Sequence, residues 1–544
     1  MKKWFLILAL SAASFVGAQD SGKMWIYFSD RGPVANRLER VADHYSDRAI
    51  ERRKRQNISW TASDLPVFED YILALRADGL QVVQYSRWLN AVSVRADDAF
   101  QRWNRRNLPD FVDRVEPVRQ WSYKLGDEVV PPSKAFGSSD ADYGDALQQI
   151  EMINGLGLHA AGYRGEGMTI AVLDGGFFGA ESMAVFDHVR ESGRLVGAKD
   201  FVDGGDSVYV SSTHGTFVWS IMAAHQPGVM IGTAPDANYL LARTEDTGSE
   251  TMVEEDNWVA GAEWADSAGA DLINSSLGYT RFDGDVGYTY EDMDGNTTIV
   301  TRGADMAASK GILVVNSNGN YAQSSWRSMG APADGDSVFS VGAVNRDEEY
   351  ASFSSVGPTY DGRIKPNVTA LGEQATISTL NGGTARGNGT SFSAPVITGM
   401  TAALWGRLPE HSNWKVMKAV EASAHLAQRP NNEMGYGIPD YGLAYELLLN
   451  ATDSLAVVRD PWNAFPNPFI NELNIVLRGP VTLDAVFRLS TIHGQRISDV
   501  AFGGDYYLRL SLPPDLPAGV YLLEWWANGE RQEVKKVIRR HGGQ

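Results

Sequence analysis

The spacing of apolar and polar positions changes character three times along the chain. Between Gln148 and Asn450, short continuous apolar runs recur at Met168–Leu173, Tyr239–Ala242, Asp271–Ser275, Gly311–Val315 and Ser337–Val341, separated by helix-length stretches. A strand that is apolar on both sides must be covered on both sides. This spacing therefore predicts βαβ units and a mostly parallel sheet between two helical layers. After Asp460 the runs become alternating, at Leu473–Leu477, Ala485–Leu489, Tyr506–Leu512 and Tyr521–Trp525, which predicts a small all-β sandwich. Residues 19–120 combine strand patterns, Met24–Phe28 and Ala91–Val94, with helix-spaced apolar positions over Asp64–Asp78, a small α+β unit.

The expected organisation is a leader over 1–18, an α+β domain over 19–120, a linker over 121–147, an α/β domain over 148–450 and a β-sandwich over 460–544. The linker is marked by Pro131-Pro132-Ser133 and Gly137-Ser138-Ser139, and an exposed linker is a natural proteolysis site. At the front, Met1-Lys2-Lys3 precedes the apolar run Trp4–Val16 and the small-residue end Val16-Gly17-Ala18, the pattern of a secretory signal cut after Ala18. No other apolar stretch reaches the ~18–20 residues that a membrane span needs.

Composition narrows the chemistry. The chain has 544 residues and no cysteine, which excludes disulfides, a thiol nucleophile and thiolate metal sites. Its net charge of −19 argues against nucleic-acid binding, which needs a basic face. The acidity belongs to residues 143–450, with 17 basic against 38 acidic residues. One basic run, Arg52–Arg55, follows the acids Asp43, Asp47 and Glu51, so a solvated helix face is the expectation there.

Ligands and catalytic groups of an open parallel sheet gather beyond the carboxyl ends of its strands. Three segments end in suitable residues. The run Thr169–Leu173 leads into Asp174-Gly175-Gly176, and the glycines let the chain turn close to the carboxylate. His214-Gly215-Thr216 opens a helical stretch from Phe217 to Ala224. Gly387-Asn388-Gly389-Thr390-Ser391-Phe392-Ser393-Ala394-Pro395 brings a serine to the mouth of a helix running to Leu404, with Pro395 expected within the first turn, where it is tolerated. There the Ser391 N–H and the helix dipole can face a developing oxyanion. The order Asp174, His214, Ser391 matches one of the known Ser-His-Asp arrangements, and no G-x-S-x-G elbow occurs.

These motifs resemble the subtilisin-like serine proteases over roughly Gln148–Leu449. Gly311–Asn320 looks like the strand that ends in the family's oxyanion asparagine, here Asn320, and Asp271–Gly278 looks like its substrate-pairing segment. Asp361–Asn367 is similar to the stretch that precedes the serine motif. Departures are Gly175 after the aspartate, Phe217 where a second histidine is frequent, and Asn318 where a small residue is usual. The resemblance implies a serine endopeptidase with Asp174, His214, Ser391 and Asn320 as catalytic groups. It also implies substrate contacts at Ser276, Leu277, Gly278 and Ser317, and protein or peptide substrates. No cofactor is needed for this chemistry. Structural calcium is frequent in the family, and Asp292, Asp294 and Asn296 form a candidate loop without EF-hand spacing, for which an acidic turn is the plainer reading.

Residues 19–120 resemble the inhibitory propeptide of such enzymes, with maturation between Arg119 and Tyr143. The C-terminal part resembles a type IX secretion sorting domain, through Phe465–Phe469, Gly494-Gln495, Ala518–Tyr521 and the basic end Lys535–Arg539. This implies the type IX machinery as a partner. The other readings are a non-catalytic peptide-binding surface protein and a peptide ligase on the same scaffold.

Overall fold

The computed structural model describes residues 22–118, 120–122, 128–130, 142–246, 252–280 and 288–450, and, of the C-terminal part, 462–465, 469, 473–477, 485–501, 507–510, 512–513 and 516–540. The expected signal sequence and most of the expected linker lie outside the described residues.

The predicted parallel sheet is present and has seven strands. Their order is Val368–Leu371, Val338–Val344, Leu313–Ser317, Leu272–Ser275, Thr169–Asp174, Asn238–Arg243 and Leu195–Asp200, every pair parallel. The five sequence-predicted runs form the middle of this order, where both faces are buried and side chains are continuously apolar. Helices cover both sides, and two apolar cores result, one on each face. Thr390–Arg407 has apolar residues on every side and is buried from Thr390 through Trp405, the pattern of a helix enclosed on all sides.

The N-terminal domain is a four-stranded antiparallel sheet ordered Val82–Ser86, Ala91–Arg95, Lys23–Phe28, Val112–Pro117, with helices that include Asp47–Arg55. The helix expected over Asp64–Asp78 starts only at Glu69, because Leu65 is extended ahead of Pro66, as residues before proline are biased to be. The basic run corrects a second expectation. Arg52 and Arg53 do not form a solvated face: their side chains are 0 and 2% exposed, and they pair with Asp266 and Asp64. The carboxylates are supplied largely from another domain, more than 200 positions further along the chain, so local charge pattern could not reveal them.

Where the N-terminal domain passes into the expected linker, Gln120–Ser122 pairs antiparallel with Met252–Glu254, and Glu128–Val130 pairs antiparallel with Thr384–Asn388. Its last residues pack onto the α/β domain: Ala146 is fully buried, and the Asp145 carbonyl accepts a hydrogen bond from the Thr376 hydroxyl at 2.7 Å. The C-terminal region is all-β, with a three-stranded and a four-stranded antiparallel sheet sharing one core around Trp462, Phe469, Ile475, Phe487 and Leu523. Phe469 and Arg539 lie side by side, joined through the Phe469 N–H to the Ile538 carbonyl at 2.8 Å and the Arg540 N–H to the Phe469 carbonyl at 2.8 Å. Among the described residues, no helix is long and apolar enough to cross a membrane.

Candidate active site

Register brings the chemistry to one edge of the sheet. Asp174 closes its strand opposite Arg243, and Ser275 lies opposite Leu173 on one side and Asn316 on the other, so Ser276 and Ser317 leave the sheet at the same carboxyl edge. Asp174 is fully buried, and its Oδ1 accepts the Gly175 N–H at 2.8 Å. His214 opens the helix His214–Ala223, and its Nδ1 lies 2.8 Å from Asp174 Oδ1 and 3.0 Å from Oδ2. An ionised carboxylate only accepts, so Nδ1 carries the hydrogen, and the neutral ring keeps Nε2 as its basic nitrogen.

Two glycines permit this approach. A Cβ on Gly215 would lie 2.4 Å from the Gly176 carbonyl oxygen and 3.0 Å from Asp174 Cβ. Gly176 has φ +135°, and a Cβ there would lie 2.1 Å from the Val210 carbonyl oxygen. The steric demand thus falls on Gly176, which keeps the family's pattern, and not on the departing residue Gly175. Asn318, another departure, is a fully buried brace. Its amide donates to the Ser355 carbonyl at 2.5 Å and accepts from the Ser340 hydroxyl at 2.7 Å.

Ser391 is the second residue of Thr390–Arg407, in the turn whose N–H groups have no intrahelical acceptor. Its Oγ lies 3.4 Å from the Ser276 carbonyl oxygen. Pro395 is not in the first turn, as expected, but one turn further in, where its missing N–H would have served the Ser391 carbonyl four residues back. The Ser276 hydroxyl serves that carbonyl instead, at 3.0 Å. Ser276 in turn accepts from the Asn274 amide at 3.3 Å, and Asn274 Oδ1 accepts from Thr398 at 2.8 Å. The strand end and the serine helix are tied together by this chain.

Asn320 Oδ1 accepts from both the Thr390 N–H and the Thr390 hydroxyl, each at 2.9 Å. That orients the amide with its nitrogen as the donor end. The Thr390 Oγ1 also accepts the Gly319 N–H at 3.1 Å, so one threonine fixes the whole Asn320 turn. In the sequence Thr390 stands out only as one of the small residues around Ser391, and its position beside that serine is the available signal. The edge strand Met252–Glu254 was missed as well, being too short to show a pattern.

Ser276, Leu277 and Ser317 are buried and Gly278 is half-buried. The Leu277 carbonyl is held by the Asn316 amide at 2.9 Å. Beside this edge, burial and then the carboxylate of Glu245 push the Tyr279 phenol well above the ordinary tyrosine range. It stays protonated and donates to Glu245 at 3.1 Å.

The candidate calcium loop is not brought to this site. Asp292 Oδ2 accepts from the Thr289 N–H and hydroxyl at 2.7 and 3.0 Å, and Asp294 Oδ1 accepts the Asn296 and Thr297 N–H groups, each at 2.8 Å. Asp294 Oδ2 accepts from the Thr297 hydroxyl at 2.9 Å, and the Asn296 amide donates to the Asp294 carbonyl at 3.1 Å. These oxygens are committed to local turns, a poor fit to a hard cation that takes six to eight oxygen ligands. Among the described residues, no group of three or more His, Asp or Glu is placed to hold a metal ion.

The Subtilase family (Peptidase_S8) matches residues 165–437, and the Peptidase S8 propeptide domain, Bacteroidota, matches residues 23–130. Subtilisin NAT of Bacillus subtilis subsp. natto is 34% identical over 303 residues, 54% of this chain and 71% of that protein. Subtilisin of Bacillus pumilus is 34% identical over 281 residues, 51% of this chain and 90% of that protein. Among solved structures, fervidolysin of Fervidobacterium pennivorans, a keratinolytic enzyme related to subtilisin, superposes with TM-score 0.56 at 21% identity, over 93% of this chain and 70% of that one. That structure shares the fold. With its sheet, its propeptide domain and these relatives, the chain belongs to the subtilase family and is a serine endopeptidase.

Proposed function

We propose that the peptidase works through Asp174, His214 and Ser391 and is made as a secreted zymogen. Ser391 attacks the scissile carbonyl while His214 Nε2 takes its proton and later delivers it to the leaving amine. Asp174 holds the imidazole tautomer and stabilises its cation. The Asn320 amide and the Ser391 N–H receive the oxyanion, and the acyl-enzyme is then hydrolysed by water. The observation that carries this reading is the double contact of His214 Nδ1 with a fully buried Asp174 carboxylate, at the sheet edge whose Ser276 holds the Ser391 carbonyl. Ser391→Ala tests it: protease activity and fluorophosphonate labelling should both vanish, and surviving activity would refute it.

The strand pairings support a zymogen reading. Gln120–Ser122 lies along Met252–Glu254, and Glu128–Val130 lies along the strand that ends three residues before Ser391. Substrate would bind by the same kind of strand addition, with Ser276–Gly278 as a further edge. The maturation cut then falls between Ser122 and Glu128, and N-terminal sequencing of the active protein would test it. The signal-like N-terminus and the C-terminal marks support export by the type IX route, with the sandwich as the sorting domain. Deleting residues 461–544 should leave the protein in the periplasm; normal secretion would refute that role.

A further inference from the structure

The N-terminal domain meets the peptidase domain through buried charge. Asp266, near the end of the helix Glu255–Ala268, is fully buried and contacts three guanidinium groups, all from the N-terminal domain: Arg52, Arg53 at 3.2 Å and Arg87 at 2.9 Å. Asp271 receives Arg48 and Arg55, the latter at 2.9 Å. One contact runs the other way, from Lys310 of the peptidase domain to Asp64 at 2.9 Å.

Arg52 does more than neutralise a carboxylate. Its Nε donates to the Lys310 carbonyl at 3.2 Å, and its terminal nitrogens donate to the carbonyls of Ala270 and Asp266, the latter at 3.3 Å. These carbonyls lie at the C-terminal ends of two helices, Glu255–Ala268 and Ile299–Ser309, where the helix dipole favours a cation. Arg87 and Arg48 add donors to the Glu263 carbonyl at 2.7 Å and the Gly269 carbonyl at 3.0 Å.

The location matters as much as the charge. Asp271 immediately precedes the strand Leu272–Ser275, and Lys310 closely precedes Leu313–Ser317, so the cluster sits at the amino ends of the strands that lead to Ser276 and Ser317. A strand of this length separates it from the candidate active site by about 13 Å.

We infer that the helix Asp47–Arg55, with its spacing R-x-x-x-R-R-x-R, and the carboxylates Asp266 and Asp271 form a charge lock that retains the prosegment on the peptidase after the connecting chain is cut. This contact sets how fast activity appears. The lock rests on the proposed zymogen reading and deepens it. It is read by guanidinium geometry: lysine cannot reproduce the forked contacts of Arg52. Removing one partner strands the others in a buried setting, where unpaired charge is strongly unfavourable.

The test uses the full-length chain, allowed to mature. In wild type, the cut prosegment should co-elute with the peptidase on gel filtration, and activity should lag behind cleavage. In Asp266→Asn, co-elution should be lost and release should be at least about 100-fold faster, with Asp266→Glu partly restoring retention. Arg52→Met/Arg53→Met is the second variant, because the peptidase it releases is identical in sequence to wild type and supplies its own activity control. Unchanged retention in folded Asp266→Asn or in the double arginine variant would overturn the lock. Failure of the peptidase freed of its prosegment to be labelled at Ser391 by a fluorophosphonate would instead overturn the underlying peptidase mechanism, so the two failures are distinct.

Discussion

The Ser276 hydroxyl donates to the Ser391 carbonyl at 3.0 Å, in the place of the main-chain N–H that Pro395 lacks. A proline inside a helix ordinarily leaves such a carbonyl without its partner. Here a side chain from the neighbouring strand end supplies the donor, so the start of the serine helix is fastened to the sheet and not only to itself. Ser276→Ala should therefore cost about 1–3 kcal/mol, the penalty for a buried polar group left unpaired. Pro395→Ala restores the N–H, and the double variant should lose less than Ser276→Ala alone. Thermal inactivation rates of the four proteins measure that coupling; strict additivity would contradict it.

Thr390 controls Asn320 through two hydrogen bonds, one from its backbone and one from its hydroxyl. Thr390→Val removes the second, together with the acceptor of the Gly319 N–H, and should lower kcat by about tenfold, less than the ~10²–10³ expected for loss of a whole oxyanion donor in Asn320→Ala. KM should change little, and Thr390→Ser should recover most of the rate. Steady-state kinetics on a peptide substrate would decide this.

Prosegment retention should not respond to mild acid. For Asp266, burial alone would raise the pKa, but Arg53, Arg52 and Arg87 outweigh it and hold the carboxyl below its ordinary value. Asp64 is lowered in the same way, Lys310 and Arg53 overcoming its burial. A depressed carboxylate contributes stability that is complete above its unfolded pKa, ~4, and is lost only as pH falls through the lower folded value. Glu263 moves oppositely: burial raises it against Arg87 and its hydrogen bonds, so protonation there favours the docked state. Gel filtration of the cut complex between pH 8 and pH 5 should show undiminished co-elution; release on mild acidification would contradict these directions.

The Asp292 loop makes a prediction about metal removal. Asp292 caps its own turn through Thr289, and Asp292→Ala should cost about 1 kcal/mol through that cap. The same difference from wild type is expected in calcium and in chelator. A difference that disappears in chelator would place an ion on this loop.

Much of this was legible in residue order. The central strands declared themselves because burial on both faces leaves no polar position to blur the run, as in Thr169–Leu173. The edge strand Leu195–Asp200 was hidden for the converse reason: only Asp200 in it is buried, and Gly197 and Lys199 break the pattern. Val368–Leu371 was short and followed a proline-containing segment. Asp174, His214 and Ser391 could be singled out as candidates because each stands beside glycines or small residues that a tight approach requires, whereas Asn320 came only from the family resemblance. Arg52 and Arg53 were misread because an ion-paired arginine and a solvated one look alike until the partner is known. Pro395 was placed in the wrong turn for a similar reason, since nothing local announces that Ser276 will rescue its helix.

Gly176 and Gly215 leave no room for a side chain where the histidine helix meets the aspartate strand. The spacing between Asp174 and His214 is consequently a property of the main chain, set when the peptidase domain folds. It is already in place while the N-terminal domain is still attached. Restraint of a precursor built this way therefore cannot come from a late assembly of this pair.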